Sequence, residues 1–128
     1  MQKRLFLSLL CLMVAAACAS SSPGDPAAAV VAYLNAMVKD DTAHIDQLVC
    51  PDYEAGAKTD FDSLGAIGGV TLSNLNCTAA STSGDTATVT CTGSINYTYN
   101  GESNSQDLSG NTYSVKQVDG EWKMCGYQ

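Results

Sequence analysis

The polar and apolar positions in the first part of the chain follow a helical period. Asp25-Pro26 combines a residue type that caps helices with a proline at the first helical position, where its missing N–H group is not needed. After it, apolar residues recur at spacings of three and four, namely Val30, Tyr33, Leu34, Met37 and Val38. This stripe predicts an amphipathic helix over residues 26–39.

Two further helical segments are expected before the pattern changes. The apolar face of a second helix would consist of Ile45, Leu48 and Val49. Asp41 or Thr42 can cap this helix, and it should end at Cys50-Pro51, because a residue before proline is disfavoured in the helical conformation. The mixed segment 52–69 predicts only a short helix, around residues 60–65.

In the second half of the chain the hydrophobic period changes to two. The clearest run is residues 86–99, in which apolar residues alternate with threonine, serine and asparagine. Because β-branched threonine suits a pleated strand, this run predicts a strand with one apolar face. Residues 70–79 predict its hairpin partner across the turn at 83–85. A slip in the alternation between Leu72 and Leu75 indicates a bulge.

Two more turn signals follow. Asn100-Gly101 favours a hairpin, although the polar segment 102–110 after it should pair only in part. Residues 112–118 and 121–127 predict a final hairpin around Asp119-Gly120. The expected cross-strand neighbours are Val115 with Met124 and Gln117 with Trp122, and the opposite face should carry Val118, Cys125 and Tyr127.

The first 19 residues have the layout of an export signal. Lys3 and Arg4 precede a mostly apolar run over residues 5–14, and small residues follow. Even when it is extended to Ala17, the run is too short to cross a membrane. It is therefore interpreted as the apolar region of a signal peptide.

Two processing routes are open at the end of this signal. The segment 15–18, Ala-Ala-Ala-Cys, resembles the lipobox of bacterial lipoproteins, with alanine where that family usually has leucine. In that case residues 1–17 are a signal peptide, Cys18 carries the lipid, residues 18–25 form a flexible tether and residues 26–128 form one domain. Cleavage after Ala19 would instead release a soluble, secreted protein. The expected location is the bacterial cell envelope, outside the cytoplasm.

The charge balance disfavours two classes of partner. Beyond the signal the chain has four lysines and no arginine against 13 acidic residues, and the net charge of the full sequence is −7. A nucleic-acid-binding protein needs a basic face, so no nucleic-acid partner is expected. An anionic membrane surface would repel the chain. Membrane attachment is therefore expected only through a lipid at Cys18.

The cysteines indicate disulfides. Cys11 would leave with the signal, and Cys18 would either carry the lipid or leave as well, so four cysteines would remain to pair: Cys50, Cys77, Cys91 and Cys125. An even number in an exported chain of this size predicts two disulfides. No pair has the spacing of a metal half-site and the chain has one histidine, so no metal is expected. Of three possible connectivities we expect Cys77 with Cys91, nearly opposite in the first hairpin, and Cys50 with Cys125.

Helices followed by antiparallel strands indicate an α+β domain. Residues 27–38, 48–51 and 119–123 are similar to small bacterial lipoproteins of unknown function in the nuclear-transport-factor-two-like, or cystatin-like, superfamily. The resemblance covers residues 26–128. It implies N-terminal helices packed on a curved antiparallel sheet that forms a cone with a pocket at its open end. Many relatives bind small apolar molecules or proteins there, and a minority are isomerases or dehydratases, so the fold alone does not choose among them.

One cluster of acidic and imidazole side chains is a candidate for chemistry: Asp40, Asp41, His44 and Asp46. On a continuous helix Asp40 and His44 would share a face and could bind a metal or run acid/base catalysis. The expected helix break near residues 40–42 disfavours that geometry. Acidic residues in a first helical turn also simply complement the helix dipole, so a solvated helix start is the favoured interpretation.

Aromatic side chains are candidates for lining a pocket, because they combine an apolar ring with a polar tip. Aromatic residues on strands more often belong to the packed core, which is the favoured interpretation. The candidates are Tyr33, Tyr97, Tyr99, Tyr113, Tyr127 and Trp122. The chain has no recognised nucleophile motif or phosphate-binding glycine loop. The sequence favours a non-catalytic envelope domain that binds a small apolar ligand or another envelope protein, without a cofactor. The alternatives are an isomerase or dehydratase that uses His44 or an aspartate in the cone, and a structural or inhibitory surface protein.

Overall fold

The computed structural model describes residues 24–128. The predicted export signal, the lipid attachment point at Cys18 and the tether up to residue 23 lie outside the described residues. Three helices come first, α1 (Pro26–Val38), α2 (Ile45–Leu48) and α3 (Glu54–Gly65), with 3-10 turns at Thr42–His44 and Pro51–Tyr53. The strands that follow are β1 (Thr71–Ser83), β2 (Thr86–Tyr99), β3 (Glu102–Asp107), β4 (Thr112–Val118) and β5 (Glu121–Tyr127). Within this part of the chain no helix is long and apolar enough to span a membrane.

Helix α1 forms as its sequence predicts. The Oδ1 atom of Asp25 accepts a hydrogen bond from the Ala27 N–H at 3.0 Å, and Pro26 occupies the first turn. Its buried face carries the predicted residues Val30, Tyr33, Leu34 and Met37. The chain then leaves the helix at Asp40, whose φ of 53° lies in the left-handed region. The expected break before the second helix is therefore confirmed.

The other two helices differ in length from the expectation. α2 ends at Leu48, and Val49 is extended and forms a parallel bridge with Met124 of β5. The helix expected around residues 60–65 is present and ends at Gly65, but α3 begins at Glu54 and spans 12 residues, so its length was underestimated. Its buried residues, Ala57 and Phe61, are one turn apart, and most other positions are polar. So narrow an apolar stripe gives little periodic signal.

The five strands form one antiparallel sheet that does not close. Its order is β1-β2-β4-β5, and β3 also pairs with β2. Strand β2 is long enough to pair with β1 along one edge, while on its other edge β4 pairs with the first part and β3 with the last part. Helices α1 and α3 pack on one face of this sheet around a shared hydrophobic core. The predicted α+β class is confirmed.

A bulge shapes the β1-β2 hairpin where the sequence places it. The register shifts between Ser73 and Asn76, and again between Ala79 and Ser81. Pairing continues past the second shift, and β1 extends beyond the predicted end at residue 79. Opposite the first shift, Gly93 has a φ of +108°, and a Cβ atom there would lie 2.6 Å from the Ser73 carbonyl oxygen. The bulge therefore requires glycine at this position.

The β4-β5 ladder contains a second bulge, which the sequence does not predict. Val115 lies opposite Met124 and Gln117 opposite Trp122, as expected, but the register shifts between Ser114 and Val115. The shift places Tyr127 opposite Tyr113. The expectation that Tyr127 lies on the face opposite to Val115 and Met124 was therefore wrong. One extra residue in a strand reverses the face of every residue beyond it.

Two disulfides connect the elements. Cys77 and Cys91 lie directly opposite each other in β1 and β2, with 4.0 Å between their Cα atoms. Cys50 pairs with Cys125 across 75 residues, with a Cα separation of 4.9 Å. Number and connectivity agree with the expectation. Because such bonds persist in oxidising surroundings, they indicate a domain that lies outside the cytoplasm.

Candidate functional site

A cavity of about 180 Å³ lies between α1, α3 and the sheet. Its walls are largely apolar and come from all of these layers, with side chains Leu34, Met37, Leu64, Ile95 and Leu108. The core of the domain is thus not completely filled, and the remaining volume suits a small molecule with an apolar body.

The polar side of the cavity is organised around Asp60. This residue lies on α3 and is the one charged side chain among the described residues that line the cavity. Its neighbours in the lining include Ser63, Gln106 and Asn111, and three tyrosine rings complete the wall: Tyr33, Tyr113 and Tyr127. An apolar pocket with a few convergent polar groups is the usual form of a ligand site.

Three tyrosine hydroxyls donate hydrogen bonds to the carboxylate of Asp60. Tyr33 donates to Oδ2 at 2.8 Å, and Tyr53 donates to the same oxygen at 2.6 Å. Tyr127 donates to Oδ1 at 3.4 Å. Oδ2 therefore has two short partners, whereas Oδ1 has a single long one.

Local structure explains how α3 brings Tyr53 and Asp60 together. The two residues are seven positions apart, which is two helical turns, so both lie on one side of the helix. Between them, a Cβ atom on Gly56 would lie 2.7 Å from the ring of Tyr53. Glycine at this helical position lets the ring lie flat along α3 and reach the carboxylate.

The surroundings of the tyrosines keep them protonated. Burial raises the pKa of Tyr33 far above its usual value, and the hydrogen bond to Asp60 and the negative charge of that carboxylate raise it further. The same three causes, in the same order, raise the pKa of Tyr53. Burial also raises the pKa of Tyr113, and for Tyr127 the charge of Asp60 adds to burial. All four hydroxyls therefore remain hydrogen-bond donors at neutral pH.

This arrangement predicts a loss of stability in alkali. An unfolded tyrosine ionises near pH 10, whereas Tyr33 in the fold stays neutral, so above pH 10 the unfolded state binds fewer protons. The contribution of Tyr33 is complete below pH 10 and should fall by about 1.4 kcal/mol for each pH unit above it. Urea unfolding between pH 9 and pH 11 measures this slope. Tyr33→Phe should reduce the slope by that amount, and an unchanged slope would contradict the account.

The hydroxyl of Tyr113 is available to a ligand. It accepts a hydrogen bond from the Asn111 amide nitrogen at 3.3 Å, and no group in residues 24–128 accepts the proton of Tyr113 itself. Tyr113 is buried and belongs to the lining of the cavity, as does Asn111. The Tyr113 hydroxyl can therefore donate a hydrogen bond to an acceptor on a bound molecule.

The structure separates the aromatic residues that the sequence proposes as a set. Tyr33, Tyr113 and Tyr127 line the cavity. Tyr97 instead borders a shallow polar groove beside β3, Tyr99 is 59% exposed at the end of β2, and Trp122 packs on the core away from the cavity. Alternation along a strand assigns residues to a face, but it does not show which part of that face is covered by helices.

The acidic and imidazole cluster lies outside the cavity. Nδ1 of His44 is 3.4 Å from Oδ1 of Asp41, and both side chains are about half exposed to solvent. Asp40 lies beside Gly65 at the end of α3. Within residues 24–128 no three metal-ligating side chains come together. The geometry therefore does not support a catalytic role for His44, Asp40 or Asp41.

Two residues of the site, Asp60 and Tyr53, are absent from the sequence-based candidates. The helix that carries them was underestimated, so their shared side could not be recognised. The available signal was the spacing of Tyr53 and Asp60 around Gly56, a residue that is unfavourable inside a helix unless packing requires it.

Solved structures with low sequence identity share this fold. A SEC-C motif containing protein from Rhodopseudomonas palustris aligns with a TM-score of 0.59 and 14% identity, over 82% of this chain and 80% of that one. An NTF2-like protein with a cystatin-like fold from Novosphingobium aromaticivorans aligns with a TM-score of 0.55 and 17% identity, over 77% and 73%. The helical cell shape determining protein Pgp2 from Campylobacter jejuni aligns with a TM-score of 0.50 and 13% identity, and the chain spans 38% of it.

No family model matches the sequence, and no curated protein matches it. At these identities the structural likeness shows the fold, which is that of NTF2-like proteins. Such a fold can carry binding sites or catalytic sites, so the function has to be argued from the cavity.

Proposed function

We propose that this domain binds a small ligand in the cavity between α1, α3 and the sheet, and that it is a lipid-anchored protein of the bacterial cell envelope. The observation that carries the proposal is an apolar cavity with a single carboxylate, Asp60, held in place by tyrosine hydroxyls. The fold alone would not choose this function.

The apolar and the polar side chains that line the cavity suit different parts of a ligand. Apolar side chains from α1, α3, β2 and the segment after β3 suit an apolar body. Asp60 can accept from a donor group on the ligand, and the hydroxyl of Tyr113 can donate to an acceptor group. A small amphiphilic molecule is therefore a better fit than a hydrocarbon.

The lipid anchor is inferred from the sequence around Cys18 and from the compartment. A domain with two disulfides belongs outside the cytoplasm, which is where bacterial lipoproteins are attached. The last residue of the proposed tether, Asp25, caps α1, and the helix begins directly after it at Pro26. Intact-mass measurement of the mature protein should show acyl chains on Cys18, and an unmodified chain beginning at Ser20 would instead indicate a secreted protein.

Binding without catalysis is the function that the geometry supports best. Both oxygens of Asp60 accept hydrogen bonds from the protein, and no other acidic or histidine side chain among the described residues lines the cavity. The isomerase or dehydratase alternative has one observation in its favour, since Asp60 and Tyr113 line the same cavity. A purely structural protein would have no use for the open volume.

Closing the mouth of the cavity tests the proposal. Ser63 is an exposed residue of α3 that lines the cavity, so Ser63→Trp should cover the opening without disturbing the core. With the neutral probe 3,3-dimethylbutan-1-ol we expect a Kd on the order of 1 mM for the wild type, or about −4 kcal/mol. The variant should weaken binding at least tenfold, as measured by NMR titration.

Thr59→Trp is the matched control. Thr59 and Ser63 both lie exposed on α3, and each donates its hydroxyl to the carbonyl four residues earlier, but Thr59 does not line the cavity. Both substitutions therefore lose the same kind of local hydrogen bond and add the same ring. We expect Thr59→Trp to bind the probe as the wild type does. Equal binding by Ser63→Trp would count against the cavity as the binding site.

A further inference from the structure

The charge of Asp60 has no cationic partner in the domain. The ion pairs of residues 24–128 join Lys58 to Asp62 and His44 to Asp41, and neither includes Asp60. The groups that contact its carboxylate are neutral tyrosine hydroxyls. A partly buried carboxylate without a counter-charge is unusual, because isolated charges in low-dielectric surroundings are normally paired.

We propose that the ligand of the cavity is a small organic cation, with an alkylammonium group at Asp60 and a short apolar body against the aliphatic walls. This inference rests on the proposed function and adds the charge and chemical class of the ligand. The cation supplies the counter-charge that the protein itself lacks. A neutral amphiphile would leave the carboxylate unpaired.

The carboxylate has room for such a partner on one oxygen. Oδ2 of Asp60 is occupied by the short hydrogen bonds from Tyr33 and Tyr53. Oδ1 has only the 3.4 Å contact from Tyr127, a residue that is 44% exposed. A cation can therefore approach Oδ1 without breaking either short hydrogen bond.

The tyrosine rings add to the attraction. Tyr33, Tyr113 and Tyr127 line the cavity around Asp60, and the rings of Tyr113 and Tyr127 lie 5.6 Å apart. The electron-rich faces of aromatic rings attract cations, and quaternary ammonium groups are recognised by aromatic cages in this way. A carboxylate surrounded by tyrosines thus favours an ammonium group over a neutral or anionic one.

The apolar walls select an organic cation over a metal ion. Mg²⁺ and Ca²⁺ need six or more oxygen ligands, and the aliphatic side chains of this cavity cannot replace their hydration shells. A quaternary ammonium ion, whose charge is covered by alkyl groups, is hydrated far more weakly than a metal ion and gains from contact with apolar walls and aromatic rings. A phosphate group, as in a phospholipid headgroup, would bring a second negative charge next to Asp60, so we infer a free cation. Residues 24–128 contain 13 acidic residues and four lysines, and this excess of negative charge favours the approach of cations to the domain.

Three probes of nearly equal shape test the inference on the wild-type domain. Choline is a cation, 3,3-dimethylbutan-1-ol replaces its nitrogen by carbon, and 3,3-dimethylbutanoate is an anion. We expect choline to bind at least tenfold more tightly than the alcohol, and the anion more weakly than either, in NMR titrations at low salt. Equal affinity for choline and the alcohol, or tighter binding of the alcohol, would overturn the inference. Because these titrations need no variant, the result does not depend on the folding of a mutant.

Two variants locate the effect. Asp60→Asn keeps the shape of the side chain and removes its charge, so the preference for choline over the alcohol should fall to about one while the alcohol still binds. Asp62→Asn is the control. Asp62 lies on the same helix, its carboxylate is exposed and pairs with Lys58, and it does not line the cavity. The Asp62→Asn variant should retain the preference. An equal loss in both variants would assign the preference to the general charge of the domain and would overturn the role of Asp60.

The outcomes separate this inference from the function on which it rests. If the alcohol binds and Ser63→Trp blocks it, but choline has no advantage, the cavity is a ligand site and the cationic ligand is wrong. If none of the three probes binds, the proposed function itself fails. Phosphatidylcholine vesicles provide the last arm, in which we expect no retention of the domain. Retention that depends on Asp60 would overturn the free cation in favour of a lipid headgroup.

Discussion

A Cys50→Ala/Cys125→Ala double variant should unfold with a free energy lower by about 4.5 kcal/mol than that of the wild type. The disulfide closes a loop of 75 residues, and the chain-entropy model gives this loss for a loop of that length. A domain of this size is stabilised by about 5–15 kcal/mol, so the loss amounts to about 30–90% of the free energy of unfolding. Urea unfolding, with an unchanged dependence on urea concentration, measures the effect.

A Cys77→Ala/Cys91→Ala double variant is the matched control, because it removes the same chemical bond from a loop of 14 residues. Its expected loss is about 3 kcal/mol. Equal losses for the two variants would contradict the entropic explanation. The Cys50–Cys125 disulfide, which closes the longer loop, also joins the segment before Tyr53 to the strand that carries Tyr127. Removal of this disulfide should therefore also weaken the binding of choline, whereas removal of the Cys77–Cys91 disulfide should not.

Gly93→Ala should destabilise the domain by about 3 kcal/mol. Gly93 adopts a φ of +108°, which L residues rarely adopt, and the added Cβ would meet two backbone carbonyl oxygens, of Ser73 at 2.6 Å and of Asn74 at 2.8 Å. Backbone strain and overpacking cost about 1–3 kcal/mol each, and backbone atoms cannot simply rotate away. The Gly93 carbonyl also accepts from the N–H of Leu108, which forms a wall of the cavity. Unfolding in urea measures the loss.

Gly101→Ala distinguishes the clash from the cost of the backbone conformation. Gly101 also has a positive φ, +78°, but nothing lies within 4 Å of the position that a Cβ would take. Its expected loss is about 1 kcal/mol, from the left-handed conformation alone. If Gly93→Ala cost no more than Gly101→Ala, the bulge would not hold the two strands as closely as the structure indicates.

Elements with a strong period could be predicted from the sequence. The apolar stripe of α1 and the alternation of β2 predicted the start and the end of both elements to within a residue. The first bulge of β1 was visible in the sequence as a slip in the alternation between Leu72 and Leu75. The expected pairing of Cys77 with Cys91 followed from the β1-β2 hairpin. These features depend on neighbours in the sequence or on one turn, so local patterns contain them.

The candidate site could be predicted only in part. Tyr33 and Tyr113 were found because aromatic residues on apolar faces are natural pocket candidates, but Asp60 was hidden in a helix with two buried residues. The side on which Tyr127 lies depends on a bulge of one extra residue, Cys125, in β5. Convergence of α1, α3 and β5 on one carboxylate is a property of the tertiary packing, which no local period records.

The most direct test of the account is an NMR titration of the 15N-labelled domain with 3,3-dimethylbutan-1-ol, read residue by residue. We expect saturable shifts of the backbone amides that border the cavity, in particular those of Ser63, Leu108 and Asn111, and we expect these shifts to be lost in Ser63→Trp. Saturable shifts confined to the polar groove around Tyr97 and Asn104, or no saturable shifts at any amide, would contradict the account.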